Sequence, residues 1–332
     1  MLKDRRHAAR KFVCFAVLAA FLYALSTPCS KILLADVDSS MMAALLYLGA
    51  GVGMAAIGAL RHAVRAIGAA LKSRQEALLV ARPSPGEASS LRERSLADQG
   101  ANEGEEPLSA EDAPYVAAMV ALDIVAPLLL MEGLATTSAE STSLLNNFEI
   151  VATALIALAV FREPVSRRLW AAIALITVAC ALLSFDGSFR LSFSTGSLLV
   201  MGATVCWGVE NNCTAKLSSK DPLQVVVVKG LGSGAGALAV AFVTGCTFPL
   251  AELAACALIL GFVAYGLSIF FYVHAQRGLG AARTSAYYAV SPFIGVALAW
   301  AFFQEPPSTL FLAALALMGI GAYLAAPGKD GA

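Results

Sequence analysis

The chain has 332 residues, 58% of them hydrophobic and 14% charged, against about 45–50% and about 25% in soluble domains. Mean hydropathy is +0.74, so most of the chain reads as lipid-facing or buried. A formal net charge of zero excludes bulk attraction to nucleic acid. The seven cysteines form no C-x-x-C pair and most sit inside apolar runs, so they read as small buried hydrophobes. No metal or cofactor is expected.

The basic start, with Lys3, Arg5, Arg6, Arg10 and Lys11, precedes an apolar run that lasts to Leu34. That run is long for a signal-peptide core and lacks a clear A-x-A exit, so 12–34 is read as the first span. A second apolar run covers 41–60. Residues 72–112 then turn polar, with Arg82-Pro83-Ser84-Pro85-Gly86-Glu87 and a cluster of Glu and Asp. They read as a disordered cytoplasmic loop, a spacer or a regulatory segment. Further spans are expected at 114–134, 139–160, 168–185, 195–216, 224–244, 253–275, 284–302 and 309–326, before a short tail at 327–332. Each is close to the ~20 residues that cross a bilayer. Lipid offers no partner to backbone polar groups, so each span should be helical; period-two alternation, the mark of a membrane barrel, is missing.

Lys and Arg set the orientation. With the N-terminus inside, 20 of the 23 basic residues fall in cytoplasmic segments, Lys31 and Lys229 lie within spans, and Arg190 alone lies outside. An extra or missing span would destroy this asymmetry. The expected fold is an all-α integral membrane protein of ten helices with both termini cytoplasmic.

The chain also repeats itself. Thr142-Ser143 matches Thr284-Ser285 without gaps, and Ala159-Val160-Phe161-Arg162-Glu163-Pro164 matches Ala301-Phe302-Phe303-Gln304-Glu305-Pro306. Tyr23, Cys29 and Ser30 match Trp207, Cys213 and Thr214. The halves are therefore 1–71 with 113–186, and 195–326, with 72–112 inserted in the first. Five spans per half is an odd number, so the second half is inverted. Secondary transporters are often built this way, with the site near the midplane between the repeats.

Two halves that each close the fourth helix with Phe-x-Glu-Pro resemble the drug/metabolite transporter superfamily, and the EamA family within it. Leu144-Leu145-Asn146-Asn147-Phe148-Glu149, running to Phe161-Arg162-Glu163-Pro164, is similar to that family's fourth-span pattern. Trp207-Gly208-Val209-Glu210-Asn211-Asn212-Cys213 is similar to its sixth-span pattern, and Asp221-Pro222-Leu223-Gln224 and Lys229-Gly230 extend the likeness into the seventh span. The resemblance implies a carrier of the bacterial inner membrane, often an exporter of amino acids or other small metabolites. The expected partners are a small-molecule solute and membrane lipid; a homodimer stays open.

Ionisable groups inside a span cost about 2.5–3.5 kcal/mol each on insertion scales, so they are candidates for function. Glu149 is mid-span with Asn146 one turn away and Asn147 beside it, a patch able to take a proton and bond a polar solute, or a clasp between helices. Glu210 and Lys229 have matching depth and are expected to pair, as a pin or a gate, with Asn211 and Asn212 around them. Asp123, with Pro127 one turn on, suits either a cavity wall or a bond to a neighbouring helix. Tyr288 and Ser291 in span nine, and Trp207 in span six, are candidates to close over a solute or simply to pack. Gly49-x3-Gly53, Gly230-x3-Gly234 and Gly232-x3-Gly236 are read as close helix contacts.

Two other classes compete. A Ser/His hydrolase would need a histidine near a serine at membrane depth, but His7 and His62 lie in cytoplasmic segments and His274 is off the depth of Ser233. A passive channel is the second alternative; inverted halves in one chain favour alternating access.

Overall fold

The structure is a computed structural model that describes residues 2–80, 107–161, 167–184, 194–217, 220–279, 287–288, 290–304 and 308–325. The Glu163-Pro164 and Glu305-Pro306 turns, Arg190, Thr284-Ser285, most of the 72–112 segment and the tail at 327–332 lie outside these residues. The described chain is helical throughout: α1 (Leu2–Ala24), α2 (Ser26–Leu33), α3 (Ser39–Val80), α4 (Ala113–Thr136), α5 (Ala139–Leu145), α6 (Phe148–Phe161), α7 (Arg167–Ser184), α8 (Thr195–Ala215), α9 (Pro222–Val243), α10 (Ala251–Gly261), α11 (Ser268–Leu279), α12 (Ser291–Phe303) and α13 (Thr309–Ala325). A π-helical stretch, Phe262–Leu267, joins α10 to α11. Counting α1–α2, α5–α6 and α10–α11 as one span each, the helices follow the expected order. Five stretches are long and apolar enough to cross a membrane: Lys11–Leu33, Ser39–Leu71, Ala110–Thr136, Pro222–Val243 and Ala251–Ala275. Shorter apolar helices cover Trp170–Leu182, Ser291–Phe303 and Thr309–Leu324.

The helix over the second span is longer than its apolar run. At 42 residues α3 reaches about 63 Å, twice the hydrocarbon thickness. It continues through 72–80, where composition predicted irregular chain, because Lys72, Gln75, Glu76, Ala77 and the two leucines after it are all good helix formers. On the other side of the polar segment, Ser109 donates both its N–H and its hydroxyl to Asp112 Oδ2, each at 2.8 Å, and so fixes the entry to α4.

Among the described residues the first and fourth spans are each divided into two helices and α12 begins at Ser291, and two of these features have a covalent cause. Pro28 has no N–H to give the carbonyl of Ala24, and α1 ends at Ala24. Pro292 likewise leaves the carbonyl of Tyr288 without its helical donor, next to the start of α12 at Ser291. The α5–α6 break falls at Asn146-Asn147, whose side-chain amides compete with the backbone for hydrogen bonds. Broken backbone at membrane depth is tolerated where protein buries it or where it lines a cavity.

Glycines bring α3 into contact with two neighbours. A Cβ on Gly51 would collide with the backbone of Gly230 and Leu231, and one on Gly49 or Gly261 would strike the backbone of Leu258 or Leu46. The second, seventh and eighth spans therefore touch backbone to backbone, as the Gly-x3-Gly spacing predicts. Elsewhere α4 packs on α8, α1 on α11, α7 on α13 and α5 on α12. This set of pairings is unchanged when the first five spans are exchanged with the last five. The cysteines depart from expectation: Cys180 is buried, but Cys14 and Cys256 are exposed on the outer surface of the bundle. A small thiol costs little on an apolar surface, so composition alone does not place it inside.

Candidate functional site

Four helices bring the interior charges together. Lys229 on α9 sits between two carboxylates: its Nζ is 3.0 Å from Asp123 Oδ2 on α4 and 3.1 Å from Glu210 Oε1 on α8. Asp123 is fully buried and Glu210 is 2% exposed. Tyr47 on α3 donates to Asp123 Oδ1 at 3.1 Å, and Thr214 donates to the same Glu210 Oε1 that Lys229 meets. The expected Glu210–Lys229 pair is present, but it is one arm of a three-residue clamp. Of the two readings open for Asp123, a bond to a neighbouring helix is what the geometry shows.

Glu149 stands apart from this clamp. It lies in the first turn of α6, and its Oε1 accepts a 2.6 Å hydrogen bond from Asn211 Nδ2 on α8. Asn211 also reaches Thr153 Oγ1, at 3.3 Å. Asn212 points its amide instead at backbone, to Gly208 O at 2.8 Å and Thr153 O at 3.3 Å, and so pins α8 to α6. Gly208 allows that approach, since a Cβ there would meet Ala152 and the Thr153 backbone.

Buried polar atoms without a hydrogen-bond partner lie on the helix ends that precede this acid and on the start of α12. Asn147 is 2% exposed, and neither its Oδ1 nor its Nδ2 is bonded. Asn146 Oδ1, Ser143 Oγ and Ser291 Oγ are buried and unbonded as well. A Cβ on Gly295 would contact Ser143 Oγ, which puts α5 and α12 face to face, with Ser291 one turn earlier on α12. Buried polar groups are normally bonded, so such a cluster calls for an explanation of its own.

Tyrosines form the rest of the wall. Ring centroids are 5.7 Å apart for Tyr23 and Tyr288, 5.8 Å for Tyr23 and Tyr265, 5.3 Å for Tyr47 and Tyr265, and 4.9 Å for Tyr272 and Tyr288. Tyr23 and Tyr288 are near enough to Glu149 to interact with its charge. Trp207 is buried within reach of the Tyr47 hydroxyl. Sequence reading missed Tyr23, Tyr47 and Tyr265 because tyrosine is unremarkable in an apolar span. The repeat held the missing signal. The offset that aligns Cys29 with Cys213 puts Ser26 on Glu210, and the offset that aligns Thr142 with Thr284 puts Asp123 on Tyr265. Ser26 Oγ donates to Tyr265 Oη at 3.0 Å, so a neutral bond occupies the position that the clamp fills in the other half.

Not every candidate joins this cluster. Lys31 lies at the far end of its span, where Nζ caps the end of α4 by donating to the carbonyls of Leu134, Ala135 and Thr137 at 2.5, 3.1 and 2.8 Å. His274 stacks 4.3 Å from Phe270, with Nδ1 3.0 Å from that residue's own carbonyl. Two open grooves lie elsewhere. One of about 320 Å³ runs along the side of the bundle past Val125, Leu129 and Glu132, and one of about 420 Å³ lies over the Leu34–Ser39 turn. Among the described residues no group of His, Cys, Asp and Glu is arranged to hold a metal.

A bundle of apolar helices with interrupted spans around a buried ionic and polar centre is a multi-pass membrane protein. Residues 100–185 and 194–326 match the EamA-like transporter family, and the chain belongs to that family, within the drug/metabolite transporter superfamily. That family is one of transporters, not of enzymes. An uncharacterized transporter of Methanothermobacter thermautotrophicus is 29% identical over 195 residues, which is 56% of this chain and 56% of that protein. The alignment thus spans little more than half of the relative's length. One protein of known crystal structure superposes with a TM-score of 0.60 at 16% identity, covering 96% of this chain and 95% of its own, a likeness of fold alone.

Proposed function

We propose that this transporter is a secondary-active carrier that moves a small polar metabolite, such as an amino acid, by alternating access in the direction of export, with protons coupled through Glu149. The observation that carries the reading is Glu149 itself: an acid beside a helix break, held by one neutral amide, among buried polar atoms that no protein group satisfies. A solute and a proton are the partners such a centre lacks. The exchange-invariant helix pairing supports two inverted five-span halves, 1–71 with 113–186 and 195–326, since alternating access swaps the arrangements of two such halves. The charge asymmetry of the loops supports both ends in the cytoplasm, and the family resemblance supports the bacterial inner membrane.

The test is proton-driven flux in proteoliposomes. Glu149→Gln keeps the Asn211 contact and removes the proton site, so it should abolish flux driven by a pH gradient while leaving the protein monodisperse and solute exchange measurable. Unaltered pH-driven flux in that variant overturns proton coupling through Glu149.

A further inference from the structure

We propose that the furrow on the side of the bundle, where α3, α4, α8 and α9 meet near the start of α3, is a binding site for a bilayer phospholipid with a primary-amine headgroup. In the orientation that the loop charges support, this is the outer end of the bundle. The site stands apart from the carrier reading, since none of the residues that line it belongs to the buried ionic and polar centre.

The furrow begins where a glycine ladder ends. The contacts of α4 with α9 rise one helical turn at a time. A Cβ on Gly232 would meet the Val120 side chain, and one on Gly236 would collide with that of Ile124. The next step of four on each helix sets Val240 against Leu128, and there the small residue is gone. Two branched side chains keep helices apart where glycine let them touch. Within each neighbouring pair the helices stay close: a Cβ on Gly230 of α9 would strike Gly51 of α3, and one on Gly133 of α4 would strike Gly196 of α8. The two close pairs part at this level and leave an open space of about 320 Å³.

Its lining is mostly apolar, with Val125 and Leu129 on α4, Leu199 on α8 and Val240 on α9. A furrow that faces hydrocarbon is filled by acyl chain, since an empty one forfeits the dispersion contacts of its lining. Two polar groups stand at its outer end: Glu132, exposed and one turn beyond Leu128, and Ser40, in the first turn of α3. From Val125 to Glu132 the helix rises about 10 Å, which sets a carboxylate at the top of a slot for an alkyl chain.

Charge selects the headgroup. Among the described residues no ion pair engages the Glu132 carboxylate. Lys31, a cation at this end, directs its Nζ to the carbonyls of Leu134, Ala135 and Thr137. Asp36 and Asp38 lie in the turn just before α3, so the rim is acidic. A lipid whose only charge is its phosphate meets repulsion there. A primary ammonium offers Glu132 a charge-assisted hydrogen bond and has further N–H donors for the Ser40 hydroxyl. A quaternary ammonium brings the charge without the donors and should rank between the two.

The test titrates purified full-length protein in detergent with phosphatidylethanolamine, phosphatidylcholine and phosphatidylglycerol of one acyl composition, read by native mass spectrometry and by thermal shift. The ethanolamine lipid should bind roughly fivefold more tightly than the glycerol lipid, the upper range of an ion pair at a wet surface. Glu132→Gln should bring the three lipids level. Val240→Trp fills the furrow while leaving Glu132 in place, and should weaken all three. Glycerophosphoethanolamine, the same headgroup without chains, should compete poorly. Equal binding of the ethanolamine and glycerol lipids overturns the proposal, as does a preference that survives Glu132→Gln. A choline lipid as tight as the ethanolamine lipid removes the primary amine. Competition by glycerophosphoethanolamine as strong as by the whole lipid removes the lipid assignment, and unaltered binding in Val240→Trp removes the furrow as its seat.

Discussion

Lys229 Nζ lies 3.0 Å from Asp123 Oδ2, nearer than the 3.1 Å that separates it from Glu210, the acid its depth along the chain pairs it with. The seventh span is thereby tied to the third as well as to the sixth. One ammonium ion in low dielectric keeps two carboxylates buried, and Tyr47 and Thr214 each donate a hydrogen bond to one of them.

Lys229→Met should be strongly destabilising, because it strands two buried acids. Removing one partner of a buried pair costs about 3–5 kcal/mol. The triple variant Asp123→Asn, Glu210→Gln, Lys229→Met removes all the charge and should recover most of that loss. Thermal unfolding in detergent gives the comparison. Losses that simply add across the three sites would show that the clamp is not a unit.

Close packing makes a prediction that needs no knowledge of the solute. Gly230→Ala pushes a methyl group into the backbone of Gly51, and overpacking of this kind costs typically about 1–3 kcal/mol. Gly319→Ala, on α13, meets nothing within 4 Å and should gain up to about 1 kcal/mol through helix propensity. Melting temperatures of the two variants should move in opposite directions.

Lys31→Met tests the far end of the first span. Its ammonium caps three carbonyls at the end of α4, where a cation is worth about 0.3–1 kcal/mol and more when partly buried. Hydrogen exchange should accelerate in the last turn of α4 and in the turn after it, with little change at Glu149. Acceleration spread evenly along α4 would count against a local cap.

Much of this was legible in one dimension. Apolar runs of span length dictate helices because lipid leaves backbone groups no other partner. Gly230-x3-Gly234 marked the contact of the seventh span with the second, Gly49-x3-Gly53 that of the second with the eighth, and Gly232-x3-Gly236 that of the seventh with the third. Pro28 and Pro292 lie in the sequence as helix breakers, yet their value as markers of the centre appears only once α2 and α12 are seen against α5. The reach of α3 to Val80 was hidden, because polar composition argues against a membrane span but not against a helix.

The sequence alone determined that this is a repeated helical membrane protein with a few charges inside it, since hydropathy, loop charge and self-similarity are properties of neighbouring residues. Tertiary structure decided which charge meets which. Asp123 and Lys229 are more than a hundred positions apart, and Tyr23 and Tyr265 further still, so their meeting depends on which helices lie side by side. That is set by glycines and breaks acting together across the whole bundle, and it leaves Glu149 held by the Asn211 amide, with Lys229 in direct contact with the other two acids instead.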